Sequence, residues 1–94
     1  MSSPPIGCER TLAIQNKHGL HARPAAEFVK LAGKFQADVA VRRDDLEVNG
    51  KSIMGMMMLG AEHGAEITIR ATGPDAELAV QELCSLIDRR FGED

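Results

Sequence analysis

The chain has 94 residues, of which 44% are hydrophobic and 27% are charged, and its formal net charge is −3. This length and composition predict one soluble globular domain, and the acidic balance argues against nucleic-acid binding, which needs a basic surface. The sequence contains neither a secretory signal nor an apolar run near the ~20 residues that span a bilayer, so we expect a cytoplasmic protein without membrane insertion. Cys8 and Cys84 show no metal-type or redox-type spacing, which favours free thiols but leaves a disulfide between them open.

The predicted elements lie in residues 9–94, which we expect to form a single domain, whereas residues 1–8 are expected to form a flexible tail. The first element is a strand at residues 9–15, where two apolar side chains are two positions apart: Leu12 and Ile14. The second is a helix at residues 22–34, whose apolar residues have the i, i+3, i+4, i+7 spacing of a core-facing stripe: Ala25, Phe28, Val29 and Ala32.

The middle of the chain is predicted to form two short strands and a short helix. Residues 39–41 and 46–48 each place two branched aliphatic side chains two positions apart, and the charged turn 43–45 separates them. Ser52 is of a residue type that caps helices, so we expect a short helix from there to about Met58.

The last strand and the last helix have the clearest patterns. Residues 66–72 alternate polar and apolar side chains strictly, which predicts a fourth strand. In the final helix we expect Asp75 and Glu77 in the first turn and the arginines 89–90 in the last turn, an order that complements the helix dipole. The predicted core face of this helix has five members: Ala76, Ala79, Val80, Leu83 and Ile87. The order βαββαβα predicts an α+β fold with a four-stranded antiparallel sheet and three helices on one face.

The most informative residue is His21, which immediately precedes the helix that begins at Ala22. This position usually holds Ser, Thr, Asp or Asn, whose side chain accepts a hydrogen bond from a helix amide. Here an imidazole faces the helix amides, the positive end of the helix dipole and the guanidinium of Arg23, which together form an anion site. A histidine is partly neutral near pH 7 and is then nucleophilic, so we predict that His21 carries a phosphoryl group. The Nδ1 atom, which takes the place of a capping oxygen, is the predicted acceptor.

A second unusual feature is the apolar segment 53–59. Six of its seven residues are apolar, and a helix this short cannot bury them all. Some of them must therefore be exposed, and flexible methionine side chains suit a surface that meets several partners. The orientation of Met56 and Met58 stays open at this point.

Two motifs resemble those of a known family. Residues 19–25, Gly-Leu-His-Ala-Arg-Pro-Ala, are similar to the active-site motif of the HPr family, the histidine-containing phosphocarriers of the bacterial phosphoenolpyruvate:sugar phosphotransferase system. Residues 51–55, Lys-Ser-Ile-Met-Gly, with the Leu-Gly pair at 59–60, resemble the second motif of this family, which surrounds a regulatory serine. The spacing of the motifs and the order of the elements also match, so the resemblance covers about residues 9–90.

The resemblance implies an open-faced β-sandwich of four antiparallel strands and three helices, without a cofactor or a metal. It assigns roles at the site to three residues: the phosphohistidine His21, its phosphate-stabilising partner Arg23 and the regulatory phosphorylation site Ser52. It also implies an exposed set that contacts partners: Ile53, Met54 and Met57. The expected partners are enzyme I as phosphoryl donor, enzyme IIA components as acceptors, and an HPr kinase/phosphorylase that acts on the serine. We expect a monomeric, stoichiometric carrier rather than an enzyme.

Three alternatives stay open. The same chemistry fits a regulatory, nitrogen-related phosphotransferase branch without sugar transport, and Ser52 fits an interaction protein in transcriptional control. His18 and His21 are three residues apart, which could suggest a metal pair, but His63 lies in a separate segment and no carboxylate or thiol clusters nearby, so a metal site is weakly supported. His18 also differs from the small polar residue that is usual in this family, and this difference can alter how His21 is held.

Overall fold

The computed structural model describes residues 7–92, and these residues have the predicted order βαββαβα. The elements are β1 (Gly7–Ala13), α1 (Ala22–Ala32), β2 (Asp38–Arg43), β3 (Leu46–Asn49), α2 (Ile53–Met58), β4 (Glu66–Thr72) and α3 (Ala76–Asp88), followed by a short 3-10 turn (Arg90–Gly92). Within residues 7–92, no helix combines the length and the apolar character that crossing a membrane requires.

Within residues 7–92, four strands form one antiparallel sheet in the order β1-β4-β2-β3, in which β1 and β3 are the outer strands. The register places Val41 opposite Ile69, and Leu12 opposite Ile67, so one face of the sheet is apolar. The helices pack on this face, while the other face carries polar pairs such as Arg70 with Glu47 at 3.1 Å. The predicted open-faced β-sandwich is therefore confirmed.

The core lies between the apolar sheet face and the helices. Its largest fully buried apolar side chains come from the loop after β1 and from α1, α2, β4 and α3: Ile14, Phe28, Met56, Ile67, Ile69, Leu83 and Ile87. All five residues predicted to form the core face of α3 are buried, which confirms that helix pattern. Cys8 and Cys84 are both free thiols, and burial raises the pKa of the Cys84 thiol.

The start of β1 differs from the prediction. Gly7 and Cys8, which were expected to belong to the tail, pair with Thr72 and Ala71 of β4. Residues 7 and 8 show no apolar alternation of their own, so their strand conformation depends on the hydrogen bonds to β4. The remaining residues of the predicted tail, 1–6, lie outside the described residues.

The end of α3 also differs from the prediction. The helix ends at Asp88, so Arg89 and Arg90 do not lie in its last turn. The Arg89 N–H donates to the Ser85 carbonyl oxygen at 3.0 Å. Arg90 and Phe91 then both adopt φ +57°, and the Phe91 side chain is buried. Burial of this side chain offsets the cost of the left-handed backbone.

Asp75 links the start of α3 to the segment before β2. It is the N-cap residue of α3 but makes no side-chain capping hydrogen bond. Its carboxylate instead accepts hydrogen bonds from the backbone N–H groups of Gln36 at 2.9 Å and Ala37 at 2.8 Å. These bonds, the one from Gln36 above all, hold the pKa of the Asp75 carboxyl below its ordinary value.

We therefore expect Asp75 to stabilise the fold in a pH-dependent way. Since its pKa is lower in the folded protein than in the unfolded chain, the stabilisation is present above the unfolded value of about 3.9 and is lost as the pH falls through the folded value. Asp75→Ala should lower the melting temperature at pH 7 and should flatten its dependence on pH in the acid range. Thermal unfolding followed by circular dichroism measures this, with Glu77→Ala, an exposed acid in the first turn of the same helix, as the matched control. Equal pH dependences for the two variants would contradict the assignment.

Candidate functional site

A tight turn over residues 16–19 closes the loop between β1 and α1. The Gly19 N–H donates to the Asn16 carbonyl oxygen at 3.2 Å, and the Asn16 Nδ2 donates to the Gly19 carbonyl oxygen at 2.6 Å. The Asn16 side chain is fully buried, and this turn fixes the direction from which the chain enters α1. Asn16 was not among the predicted site residues, although asparagine at the start of a turn is a signal that could have suggested its role.

The segment 59–62, which follows α2, supports this turn from the other side. The Leu20 N–H donates to the Ala61 carbonyl oxygen at 2.8 Å. Gly19 has φ +68°, and a Cβ atom at this position would overlap the Ala61 carbonyl oxygen and come within 2.8 Å of Glu62 Cα. Glycine is therefore required here both for its backbone conformation and for the close approach of two backbones.

Arg43, at the end of β2, holds the segment 59–62 in place. Its Nη1 atom donates to the carbonyl oxygens of Leu59 at 3.3 Å and Gly60 at 2.7 Å, near the end of α2, where carbonyls lack helical partners. Its Nη2 atom donates to Glu62 Oε1 at 2.8 Å, and this hydrogen bond is the main reason why the pKa of the Glu62 carboxyl lies below its ordinary value. Arg43 was predicted only as part of a charged turn, and its pattern in the sequence does not indicate this positioning role.

His21 lies at the N-cap of α1, exposed and with an extended backbone of φ −75° and ψ −175°. Its carbonyl oxygen accepts the first helical hydrogen bond, from the Ala25 N–H at 3.0 Å. The N–H groups of Ala22 and Arg23 lie before this first helical bond, so no carbonyl group of the helix accepts a hydrogen bond from them. Arg23 is also exposed, and Pro24 is buried in the first turn. An imidazole, two helix amides and a guanidinium thus belong to the same helix end, as the sequence predicts.

The assignment of Nδ1 of His21 as the phosphoryl acceptor stays a prediction. The side chain makes no capping hydrogen bond to α1. The imidazole packs edge-on against the His18 ring, with 6.1 Å between ring centroids and 83° between ring planes. In the described part of the chain, no group of three His, Cys, Asp or Glu residues is arranged to hold a metal ion.

Ser52 is the N-cap of α2, as predicted. Its backbone is extended, with φ −119° and ψ 120°, and its Oγ atom accepts a hydrogen bond from the Gly55 N–H at 3.1 Å. The residue is partly exposed. Since α2 packs against α1 and the segment 59–62 contacts the loop before His21, Ser52 belongs to an element that neighbours the histidine loop.

Most apolar side chains of α2 are exposed. The exposed fractions are 76% for Met54, 65% for Met58, 46% for Met57 and 45% for Ile53, whereas Met56 is fully buried. The predicted exposure of Ile53, Met54 and Met57 is confirmed, and the two open orientations are now known, since Met56 joins the core and Met58 joins the surface. We call the four exposed residues, Ile53, Met54, Met57 and Met58, the α2 surface.

Comparisons with known proteins agree with this fold and with these motifs. Residues 8–89 match the family model described as the phosphotransferase-system HPr component phosphorylation site. The chain is 46% identical over 85 residues to a phosphocarrier protein HPr from Cupriavidus necator, and the alignment covers 90% of this chain and 96% of that protein. It is 36% identical over 85 residues to a phosphocarrier protein NPr from Shewanella violacea, covering 90% of this chain and 93% of that protein.

A solved structure shows the same fold. The crystal structure of HPr-C-His from Thermoanaerobacter tengcongensis superposes with a TM-score of 0.89 at 48% sequence identity, and the match covers 93% of this chain and 98% of that one. The sheet order, the histidine motif before α1 and these matches lead to one conclusion: the chain belongs to the HPr family, the phosphocarrier proteins of the phosphotransferase system.

Proposed function

We propose that this phosphocarrier accepts a phosphoryl group on His21 from phosphorylated enzyme I and passes it to an enzyme IIA. The observation that carries the proposal is the position of His21, an exposed N-cap histidine beside two helix amides and Arg23 in a chain of the HPr family. The protein acts as a monomeric, stoichiometric carrier in the cytoplasm and uses no cofactor of its own. These last points rest on its resemblance to the family.

The chemistry needs little beyond this arrangement. A neutral ring nitrogen of His21 attacks the phosphorus atom, the bond between phosphorus and the donor residue of enzyme I breaks, and the covalent phosphohistidine forms. Such a transfer depends on positioning and charge stabilisation rather than on a deep pocket. The bound group carries about two negative charges, which the N–H groups of Ala22 and Arg23, the helix dipole and the Arg23 guanidinium stabilise.

The α2 surface is the proposed docking site for both partners. It combines a large exposed apolar area with a position on the element that neighbours the histidine loop. Methionine side chains adapt to different surfaces, which suits a carrier that must bind a donor and then an acceptor.

A second candidate is a phosphocarrier of the regulatory, nitrogen-related branch. The match to the Shewanella violacea NPr supports this candidate, whereas the match to the Cupriavidus necator HPr, at higher identity, supports a phosphocarrier of the HPr type. Transfer assays with enzyme IIA components of both branches distinguish the two candidates, because the physiological acceptor should be phosphorylated faster.

The proposed function has a direct test. Incubation of the protein with enzyme I, magnesium and phosphoenolpyruvate should add one phosphate that is labile in acid and stable in base, as expected for a phosphohistidine. The Cupriavidus necator HPr serves as the positive control for active enzyme I. If the control is labelled and this protein is not, the proposal is wrong.

Ser52 is proposed as a second, regulatory phosphorylation site for an HPr kinase/phosphorylase, which would act by changing partner binding. A negative charge at this helix N-terminus is favourable, so Ser52→Asp should change the melting temperature little. The charge would adjoin the α2 surface, which a partner must dehydrate, and we expect phosphorylation by enzyme I to slow on the order of tenfold. The initial labelling rate and the melting temperature measure these two effects.

A matched control separates this effect from a change in net charge. Ser85 is an exposed serine on α3, so Ser85→Asp adds the same charge away from α2 and should leave transfer unchanged. Unchanged transfer in Ser52→Asp together with a large loss of stability would leave Ser52 as a structural cap only. If Ser52 is such a cap, the alternative role in transcriptional control also loses its support.

A further inference from the structure

We propose that the three methionines of the α2 surface are sites of reversible oxidation by hydroperoxides, and that their oxidation slows phosphoryl transfer. The sites follow from the exposure of the side chains. The effect on transfer rests on the proposed function, since it needs the α2 surface to bind the donor and the acceptor.

The methionines of α2 differ in how accessible they are to solvent. The chain has five methionines, and four of them lie within residues 54–58. Met54, Met57 and Met58 are exposed, whereas Met56 is fully buried in the core. An oxidant in solution can therefore reach three methionine side chains of α2 and is kept from the fourth.

The three exposed methionine side chains are neighbours on the helix. Met57 and Met58 are three and four residues after Met54, so the three side chains are neighbours on one side of the helix. Met56 is two residues after Met54 and points away from it, toward the core. Oxidation would therefore accumulate on one continuous patch of α2 while the packing beneath it stays intact.

The chemistry is a two-electron oxygen transfer. A sulfur lone pair attacks one oxygen atom of the hydroperoxide, an S–O bond forms and the O–O bond breaks. The proton of the oxygen that joins the sulfur passes to the departing oxygen, so hydrogen peroxide yields one sulfoxide and one water. Sulfur is oxidised and the peroxide is reduced. Methionine sulfoxide reductases reverse the change, which makes it suitable for regulation.

The consequence for docking follows from polarity. A sulfoxide replaces an apolar, flexible thioether by a polar and chiral group. A partner that covers the α2 surface would then have to remove water from up to three new polar groups, which opposes binding. The fold should change little, because the helix keeps its Ser52 cap and its buried Met56.

One experiment identifies the oxidised methionines and measures the change in the rate of phosphoryl transfer. The protein is treated with hydrogen peroxide and then with dithiothreitol, which reverses disulfide formation at Cys8 and Cys84 but leaves sulfoxides in place. Peptide mass spectrometry should show oxidation fastest at Met54, then at Met58 and Met57, and slowest at Met56. Transfer from enzyme I should slow on the order of tenfold, with a nearly unchanged melting temperature, and should recover after treatment with the two sulfoxide reductases, MsrA and MsrB.

Two variants show which methionines cause the slower transfer. For each variant, the rate of phosphoryl transfer after peroxide treatment is compared with the rate of the same variant before treatment. The triple variant Met54→Leu, Met57→Leu, Met58→Leu cannot form these sulfoxides, so its rate should resist peroxide. Met56→Leu replaces only the buried methionine and should stay as sensitive as the wild type. Equal oxidation of Met56 and the exposed methionines, an unchanged rate in oxidised wild type, or equal sensitivity of the triple variant would each overturn the proposal. An untreated wild type that accepts no phosphate would instead refute the proposed function, and the order of oxidation would still test accessibility.

Discussion

Replacing His21 with alanine is expected to abolish the acceptance of phosphate from enzyme I, while replacing His18 with alanine should leave one phosphate per chain. Only His21 combines a ring nitrogen with the N-terminal end of α1 and the adjacent Arg23. His18 contacts the His21 ring edge-on, so its removal can change the rate but not the site. Labelling with phosphoenolpyruvate, followed by acid and base treatment, measures both outcomes. Labelling of His21→Ala with none of His18→Ala would reverse the assignment.

The loss of labelling in His21→Ala should come from the missing nucleophile and not from unfolding. His21 is exposed and its side chain does not cap α1, and such surface substitutions usually change stability by no more than about 0.5 kcal/mol. Thermal unfolding of the variant therefore gives the necessary control. A large drop in its melting temperature would leave the labelling result without its chemical interpretation.

The second large effect is expected for Gly19→Ala, which should lower the free energy of unfolding by about 2–5 kcal/mol. The new side chain would combine a left-handed backbone at φ +68° with overlap of the Ala61 and Glu62 backbones, which cannot rotate away. Because Gly19 and Leu20 lead directly to His21, the variant should also accept phosphate more slowly at temperatures where it remains folded. Urea unfolding and the labelling rate measure the two effects.

Gly60 supplies the matched control for Gly19. Its φ of +57° is similar, but no atom of residues 7–92 lies within 4 Å of the Cβ that a substitution would add. Gly60→Ala should therefore cost only about 1 kcal/mol, the price of the backbone conformation alone. Equal losses of stability in the two variants would mean that the close approach of segment 59–62 does not constrain the turn.

Local periodicity predicted much of the fold correctly. The strict alternation of residues 66–72 predicted β4 with its observed bounds, and the helical spacing in α3 identified its buried face. Both patterns repeat within one element, so the sequence of that element is enough to recognise them. The start of β1 could not be predicted in this way, because it depends on pairing with β4. The burial of Met56 and the exposure of Met58 could not be predicted either, because α2 is apolar on all sides.

The supporting contacts of the site were beyond sequence analysis for a different reason. The hydrogen-bond partners of Arg43 follow it in the chain by 16 to 19 positions. Those of Asp75 precede it by 38 and 39 positions. No periodicity connects positions that far apart, since the fold alone brings them together. His21 was found because its motif is contiguous and stands directly before a helix. The catalytic and regulatory roles of His21, Arg23 and Ser52 stay predictions.

The order of the sheet has a consequence for how the chain can fold during synthesis. β2 and β3 are consecutive and pair with each other, so this hairpin can form as soon as it leaves the ribosome. Among the described strands, β1 pairs only with β4, so its pairing cannot form until the ribosome has made Glu66–Thr72. Such distant pairing slows folding and leaves unpaired strand edges exposed in the meantime. A nascent chain that stalls before residue 66 therefore carries a free N-terminal strand and a hairpin without its central neighbour, both open to pairing with other chains.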